Sequence, residues 1–316
     1  MFGRLARKPE VAALWLIALV GCPAHSPSTA IESPEAPHDP PADPGASQAP
    51  TRAAAPPTSV HIASWNIRRL GQAKTDLQAV ASVLERFDIV AIQEVMTREV
   101  ADALRAELPE HEVLLTDTPR PTHGTHREFY GFIYRTSRFD PVMNTFYPDP
   151  ADAFVRDPYI ACFDGGGSVG TLCLLTVHIV WGKRVAGRKN EILAVDDALH
   201  WGQAAGLDAE WIVLGDFNRP FDDGDADTNP EEEWRELVDP TVASPMMFVG
   251  PEVPTTLGQD EYANAYDHCF VSSGLQPQVR AAHRIEIVDE VCDGSFERCR
   301  KTVSDHAPYA VQLQFP

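Results

Sequence analysis

At 316 residues the chain exceeds what an average single domain needs. It carries 46 acidic against 26 basic side chains, a formal charge of −20, and 41 of those acids and 22 of those bases lie from Val60 onward. A groove that tracks phosphates is usually basic, so this balance counts against a tight, processive nucleic-acid binder, although a metal-loaded site still admits an anion locally.

The N-terminus reads apart from the rest. Arg4, Arg7 and Lys8 precede an apolar run, Val11 to Val20, about half the roughly 20 residues that span a bilayer. That predicts a signal-peptide core rather than a membrane anchor. Leu19-Val20-Gly21-Cys22 resembles the bacterial lipoprotein cleavage box, which implies removal of residues 1–21 and lipidation of Cys22; an ordinary secretory signal that happens to hold a cysteine is the alternative. Two or three acyl chains would hold the protein stably to a membrane. Pro23 is not the Asp that retains lipoproteins at the inner membrane, so the expectation is an exported lipoprotein of the outer membrane or cell surface. Residues 22–59, rich in Pro, Ala and Ser, cannot bury a core and predict an extended tether. Residues 60–316 then form one domain, expected to be monomeric.

Within that domain Val60–Trp65 predicts a strand. A helix follows, opened by Thr75 with Gln78 as a capping box and striped by Leu77, Val80, Leu84 and Phe87. Asp88–Gln93 is a nearly continuous apolar run of the kind buried on both faces. A second helix spans Thr97–Leu108, stopping before Pro109. Phe129–Tyr134 predicts a strand, and Tyr159–Cys162 with Leu172–Val177 predict a hairpin around a glycine-rich turn. Helical spacing returns over Asn190–Gln203, then a buried strand at Trp211–Leu214. A short helix begins at Asn229 with Pro230 in its first turn. Tyr266–Ser272, Ile285–Val288 and Tyr309–Phe315 complete the set as strands. Strands mixed with flanking helices indicate an α/β sandwich. Cys162 and Cys173 flank the hairpin turn and Cys292 and Cys299 close a short loop, so each predicts a disulfide in an exported protein, leaving Cys269 a buried thiol.

Polar residues interrupt or end these apolar strands: Asn66, Glu94, His178, Asp216, Asn218, Asp267, Asp305 and His306. Any one of them reads equally well as a turn former or a satisfied structural group. Together they would converge on one sheet edge. Glu94, Asp305 and Asn66 are hard oxygen donors suited to Mg²⁺. His178 and His306 can exchange a proton near neutral pH, and Glu128 and Asp267 are available to orient them.

The strings that hold these residues are Ile62-Ala63-Ser64-Trp65-Asn66-Ile67-Arg68, Ile92-Gln93-Glu94-Val95, Glu128-Phe129-Tyr130-Gly131-Phe132, Thr176-Val177-His178, Gly215-Asp216-Phe217-Asn218, Ala265-Tyr266-Asp267 and Ser304-Asp305-His306. Their order resembles the motifs of the endonuclease/exonuclease/phosphatase family, and most of all its deoxyribonuclease I-like branch. The resemblance implies two packed mixed β-sheets flanked by helices, a four-layer sandwich. It implies Glu94 as principal Mg²⁺ ligand, with Mn²⁺ as the other candidate ion, supported by Asn66 and Asp305. Asp216 and Asn218 would bind metal or grip the attacked phosphate. His178 with Glu128, and His306 with Asp267, would be general acid and base. Arg156 would lie near the scissile phosphate and Arg68 near the nucleic-acid backbone, each with a surface charge as its alternative.

Two departures bear on the substrate. Where the branch places a basic residue just after the metal-binding glutamate, this chain has Met96. Asp222 to Asp227 and Glu231 to Glu233 make an acidic loop, read as a solvated loop or, with its alternating aspartates, as the start of a structural Ca²⁺ site lacking the glycine and distal glutamate of an EF-hand. The expected substrate is DNA. A phosphatase or phosphodiesterase acting on lipid head groups, inositol phosphates or nucleotides is the alternative.

Overall fold

The computed structural model describes residues 58–72, 74–121, 127–182, 184–222 and 230–316. The expected signal, residues 22–57 of the expected tether with Cys22, and residues 223–229 of the acidic loop lie outside the described residues; Thr58 and Ser59, expected to end the tether, open the first strand instead. No helix among them is long and apolar enough to cross a membrane.

The first half of the domain runs β1 (Thr58–Leu70), α1 (Leu77–Leu84), β2 (Ile89–Val95), α2 (Glu99–Glu107), β3 (His111–Leu115), β4 (Arg120–Pro121), β5 (Arg127–Arg135) and β6 (Asp140–Phe146). The hairpin follows as β7 (Tyr159–Asp164) and β8 (Thr171–His178), then α3 (Val185–Leu193), α4 (Val195–Gln203) and β9 (Ala209–Asp216). The remainder is α5 (Pro230–Glu233), α6 (Arg235–Val238), β10 (Met246–Phe248), β11 (Asp267–Ser272), β12 (Val279–Arg284), α7 (Ile287–Val291), α8 (Phe296–Thr302) and β13 (Tyr309–Phe315). One sheet has seven strands in the order β12-β13-β1-β2-β5-β3, with β4 paired to β5. The other has six, in the order β10-β11-β9-β8-β7-β6. Each sheet contains one parallel pair at its centre, β1 with β2 and β8 with β9.

The strand alternation explains the layering. Val60 and Ile62 of β1, Tyr130 and Phe132 of β5, Leu172 and Leu174 of β8, and Ile212 and Leu214 of β9 belong to one core between the sheets. Residues of the opposite alternation, such as Trp65, Ile133, Cys173 and Val213, point the other way into two outer cores under the helices. The four-layer sandwich is therefore what the structure has.

Several local readings are corrected. Asp76, not Thr75, caps α1: its Oδ1 accepts from the Ala79 amide at 3.1 Å. The segment expected as one helix over 190–203 is two, α3 beginning five residues earlier and meeting α4 at Ala194. Ile285–Val288 is not a strand; its apolar residues open α7, and the edge strand is the preceding β12. Half of a short apolar run can serve either period, and here packing on the outer core settles it. Both expected disulfides are present, Cys162–Cys173 and Cys292–Cys299, and Cys269 is a buried free thiol.

Candidate active site

The same alternation that builds the inner core delivers the site. Continuing each inward stripe by two or four residues reaches Asn66 on β1, Glu128 on β5, His178 on β8 and Asp216 on β9. Reading β11 backward from Val271 through Cys269 reaches Asp267. All five are buried. They lie where the apolar filling between the sheets ends. Gln93 floors the cluster, its Nε2 donating to Ser64 Oγ at 3.1 Å and Thr176 Oγ1 at 2.8 Å across the sheets.

Glu94 breaks the pattern. Straight alternation would send it with Val90 and Ile92 into the outer core, but its φ is +59° and the β1/β2 and β2/β5 registers shift there. Such a kink re-aims a side chain at a strand end. Glu94 Oε1 accepts from Asn66 Nδ2 at 3.2 Å and Oε2 accepts from the Arg69 amide at 3.1 Å. Asn66 Nδ2 also donates to Asp216 Oδ2 at 3.0 Å, so one amide joins the two carboxylates.

Two carboxylate–histidine dyads face each other across Asp216. His178 Nδ1 is 2.7 Å from Glu128 Oε1, and His306 Nδ1 is 2.8 Å from Asp267 Oδ2. The Nε2 atoms lie 3.6 Å and 3.7 Å from the same oxygen, Asp216 Oδ2. Their environments differ. Burial and the Arg156 guanidinium push His178 down to about 4. Burial opposes the imidazolium of His306 too, but Asp267 and Asp216 outweigh it and raise this group to about 10. Burial lifts Glu128 to about 7, and burial also raises Asp216. One imidazole is thus held ready to accept a proton and the other holds one.

Arg156 does not stand open in the cleft as a phosphate contact. It is 4% exposed, and Nε and Nη2 donate to the His178 and Ile179 carbonyls at 2.7 and 2.8 Å, with Glu128 Oε1 3.5 Å away. The guanidinium braces the end of β8. Asn218, at φ +52°, donates from Nδ2 to the Ile179 carbonyl at 2.8 Å, and its amide donates to Asp216 Oδ1 at 2.9 Å. Arg68 is half-exposed and pairs with Asp305 at 3.2 Å. Glu233, read as part of a solvated acidic loop, is instead buried against Arg219 and Lys189 at 2.8 and 2.6 Å.

Three hydroxyl groups that no strand-end pattern singles out hold these side chains in place. Ser304 Oγ donates to the Asn66 carbonyl at 2.7 Å and accepts from the Arg68 and His306 amides, tying β1 to the Asp305-His306 turn. Thr255 Oγ1 donates to Asp267 Oδ2 at 2.6 Å, and Tyr130 OH accepts from the His178 amide at 2.8 Å. Ser304 and Tyr130 stand inside the motif strings; nothing local marks Thr255.

The donor set fits a hard divalent cation. Asn66 Oδ1 and Asp267 Oδ1 are buried acceptors with no hydrogen-bond partner among the described residues, which is costly unless a ligand completes them. Asp216 and Asp267 place carboxylate oxygens within 4.8 Å of each other, and half-buried Glu94 adds a carboxylate beside Asn66.

Residues 63–306 match the endonuclease/exonuclease/phosphatase family. The chain belongs to that family. It is 34% identical over 274 residues to a deoxyribonuclease of Thioalkalivibrio sp. (strain K90mix), covering 81% of this chain and 71% of that one. With bovine deoxyribonuclease-1 it shares 24% over 273 residues, covering 81% and 92%. Among solved structures, the fold of this family member matches D. rerio TDP2 complexed with a single-strand DNA product, at TM-score 0.57, 18% identity and coverage of 81% and 98%. It also matches a Bacteroides thetaiotaomicron mannosyl-6-phosphatase, at TM-score 0.55, 18% identity and coverage of 80% and 98%.

Proposed function

We propose that this family member is a divalent-metal-dependent endonuclease that hydrolyses phosphodiester bonds of DNA. The observation that carries the reading is the pair of buried carboxylate–histidine dyads whose Nε2 atoms converge on one oxygen of Asp216. A nucleophilic water and a departing oxygen both need proton transfer during in-line displacement, and two carboxylate-held imidazoles, displaced in opposite directions by burial and neighbouring charge, supply both. One dyad removes the proton of the attacking water and the other protonates the 3′ oxygen that leaves. Glu94 and Asn66, with Asp305 in support, would hold Mg²⁺ or Mn²⁺, which when bound neutralises charge on the phosphate. Asn218, fixed by its two backbone bonds, and Asp216 position the phosphate, while Arg156 acts through His178 and Glu128. The relatives named deoxyribonuclease support DNA as the substrate.

Purified residues 58–316 are expected to nick supercoiled plasmid with Mg²⁺ or Mn²⁺ and to stop with chelator. No nicking with any divalent ion would sink the proposal. Met96 and the acidic balance favour a second reading, hydrolysis of a small phosphoester. A panel of nucleotides, inositol phosphates and lipid head groups, turned over much faster than DNA, would decide for that one.

The N-terminal pattern supports export of a protein anchored through lipid on Cys22, at the outer membrane or cell surface. Cys22→Ser in the full chain is expected to move the protein from the detergent-extracted membrane fraction to the soluble exported fraction. Retention in the membrane would overturn the anchor.

A further inference from the structure

Most cations of this acidic domain are committed to a carboxylate, as in Arg86–Glu290, Arg120–Asp157, Arg138–Asp88 and Arg219–Glu233. Arg69 and Arg300 differ, since neither guanidinium is ion-paired to a carboxylate among the described residues. Both line a cavity of about 250 Å³ together with Arg68, Thr75, Lys301 and Thr302, and no described carboxylate lines it. In a region whose 41 acids outnumber its 22 bases, four cations around one carboxylate-free hollow stand against the average field.

The hollow adjoins the catalytic cluster. The Arg69 amide donates to Glu94 Oε2, the Arg68 amide donates to the Ser304 hydroxyl that also holds Asn66 and His306, and Arg68 Nη1 donates to the Arg300 carbonyl at 3.2 Å. One wall is thus the continuation of β1 beyond Asn66, and the other is the last turn of α8 before the Asp305-His306 turn. A neighbouring cavity of about 590 Å³ shares Arg68, Arg300 and Lys301 but adds two carboxylates, Asp260 and Glu297, the latter paired with Lys301. The carboxylate-free hollow is therefore the part suited to an anion, with two hydroxyl groups to complete it.

We infer that Arg69, Arg300 and Lys301 form a subsite for a backbone phosphate flanking the one that is cleaved. The inference rests on the nuclease reading and deepens it. With Met96 where its branch places a cation, grip on the substrate moves to the α8 side of the cleft. Because the cations meet a backbone rather than base edges, the subsite adds affinity without sequence preference.

The test uses the His178→Ala chain, slowed in cutting and kept in chelator so that the strand stays intact, and a fluorescein-labelled 20-nucleotide strand, single or duplexed, titrated by anisotropy across a salt series. Arg300→Glu with Lys301→Glu is expected to weaken binding about tenfold or more. It should also lower the slope of log affinity against log salt by about 1, as one phosphate contact is lost. Arg69→Asn, a residue that tolerates the φ of +49° found there, should do the same to a smaller degree. The exposed Arg280, bonded to the Pro277 and Val279 carbonyls, serves as the control, and Arg280→Glu should change neither quantity. In the His178-containing protein the ratio of DNA cleavage to hydrolysis of bis(p-nitrophenyl) phosphate, which has no flanking phosphate, should fall about tenfold in the double variant. If the parent protein cuts DNA and these variants bind with the parental affinity and slope, the subsite is wrong and the nuclease reading stands. If the parent neither cuts nor binds DNA, both fall.

Discussion

The two imidazoles of the site are chemically the same residue in opposite states, and the difference is set by their neighbours. Each imidazole has a carboxyl on Nδ1 and shares Asp216 at Nε2, but His178 alone also lies beside a guanidinium, that of Arg156, which braces its own backbone. In chelator-treated protein, Asp267→Asn is expected to lower the pH at which His306 titrates, because it removes the strongest charge that raises it. Proton NMR of the imidazole measures this, and an unchanged titration would show that Asp267 does not act on His306. His178→Ala should reduce kcat on plasmid by about 10² to 10⁴ with an unchanged denaturation midpoint, and adding His306→Ala should cost far less than a second such factor, since the dyads act on one event. Both histidines and both orienting carboxylates were legible in the sequence because each stands in a distinctive string. The buried course of Arg156 was not, since an arginine before Asp-Pro carries no local sign of what it will bond.

Five of the site side chains are simply the next inward positions of strands whose earlier inward positions are Val, Ile, Leu, Phe and Tyr. Strand periodicity thus does most of the placing, and it could be read without a structure. The exceptions needed the backbone. Glu94 reaches the cleft only through a left-handed kink, and Gly215 lets β8 and β9 approach within the motif Gly215-Asp216-Phe217-Asn218. Gly215 has φ +153°, and a Cβ there would lie 2.1 Å from the Val177 carbonyl oxygen. Gly215→Ala is therefore expected to destabilise the domain by at least about 3 kcal/mol and to displace His178 and Asp216 together, since they are register partners. Urea denaturation and residual nicking read the two effects; a stable, active variant would refute the close approach. The reassignment of residues 287–291 to a helix has the same lesson at lower stakes. A four-residue apolar run fits either period until a partner surface selects one.

For the whole molecule, charge and burial set the response to acid. His268, one residue from Asp267, points outward from the sheet among Phe217, Trp234 and Phe248, with Nε2 against the Arg219 carbonyl at 2.9 Å. Burial pushes it down to about 4. A depressed folded-state value means that the unfolded chain binds the proton first as pH falls. The contribution is complete above about 6.5 and is lost toward 4, at roughly 1.4 kcal/mol per pH unit. His268→Phe should flatten the fall of the denaturation midpoint in that window, and parallel curves for the two proteins would remove His268 as the cause. By itself the sequence determined the alternating and helical patterns, hence the layers, and the identity of the polar residues that end the strands, because periodicity and residue chemistry are local properties. Tertiary structure alone decided which carboxylate meets which histidine, that Asp216 lies between them, that Arg156 and Glu233 are buried, and that Arg69 and Arg300 line one hollow with no described carboxylate in its wall. Those are distances between segments as much as 231 residues apart in the chain, and they exist only once two sheets have packed and excluded water between them.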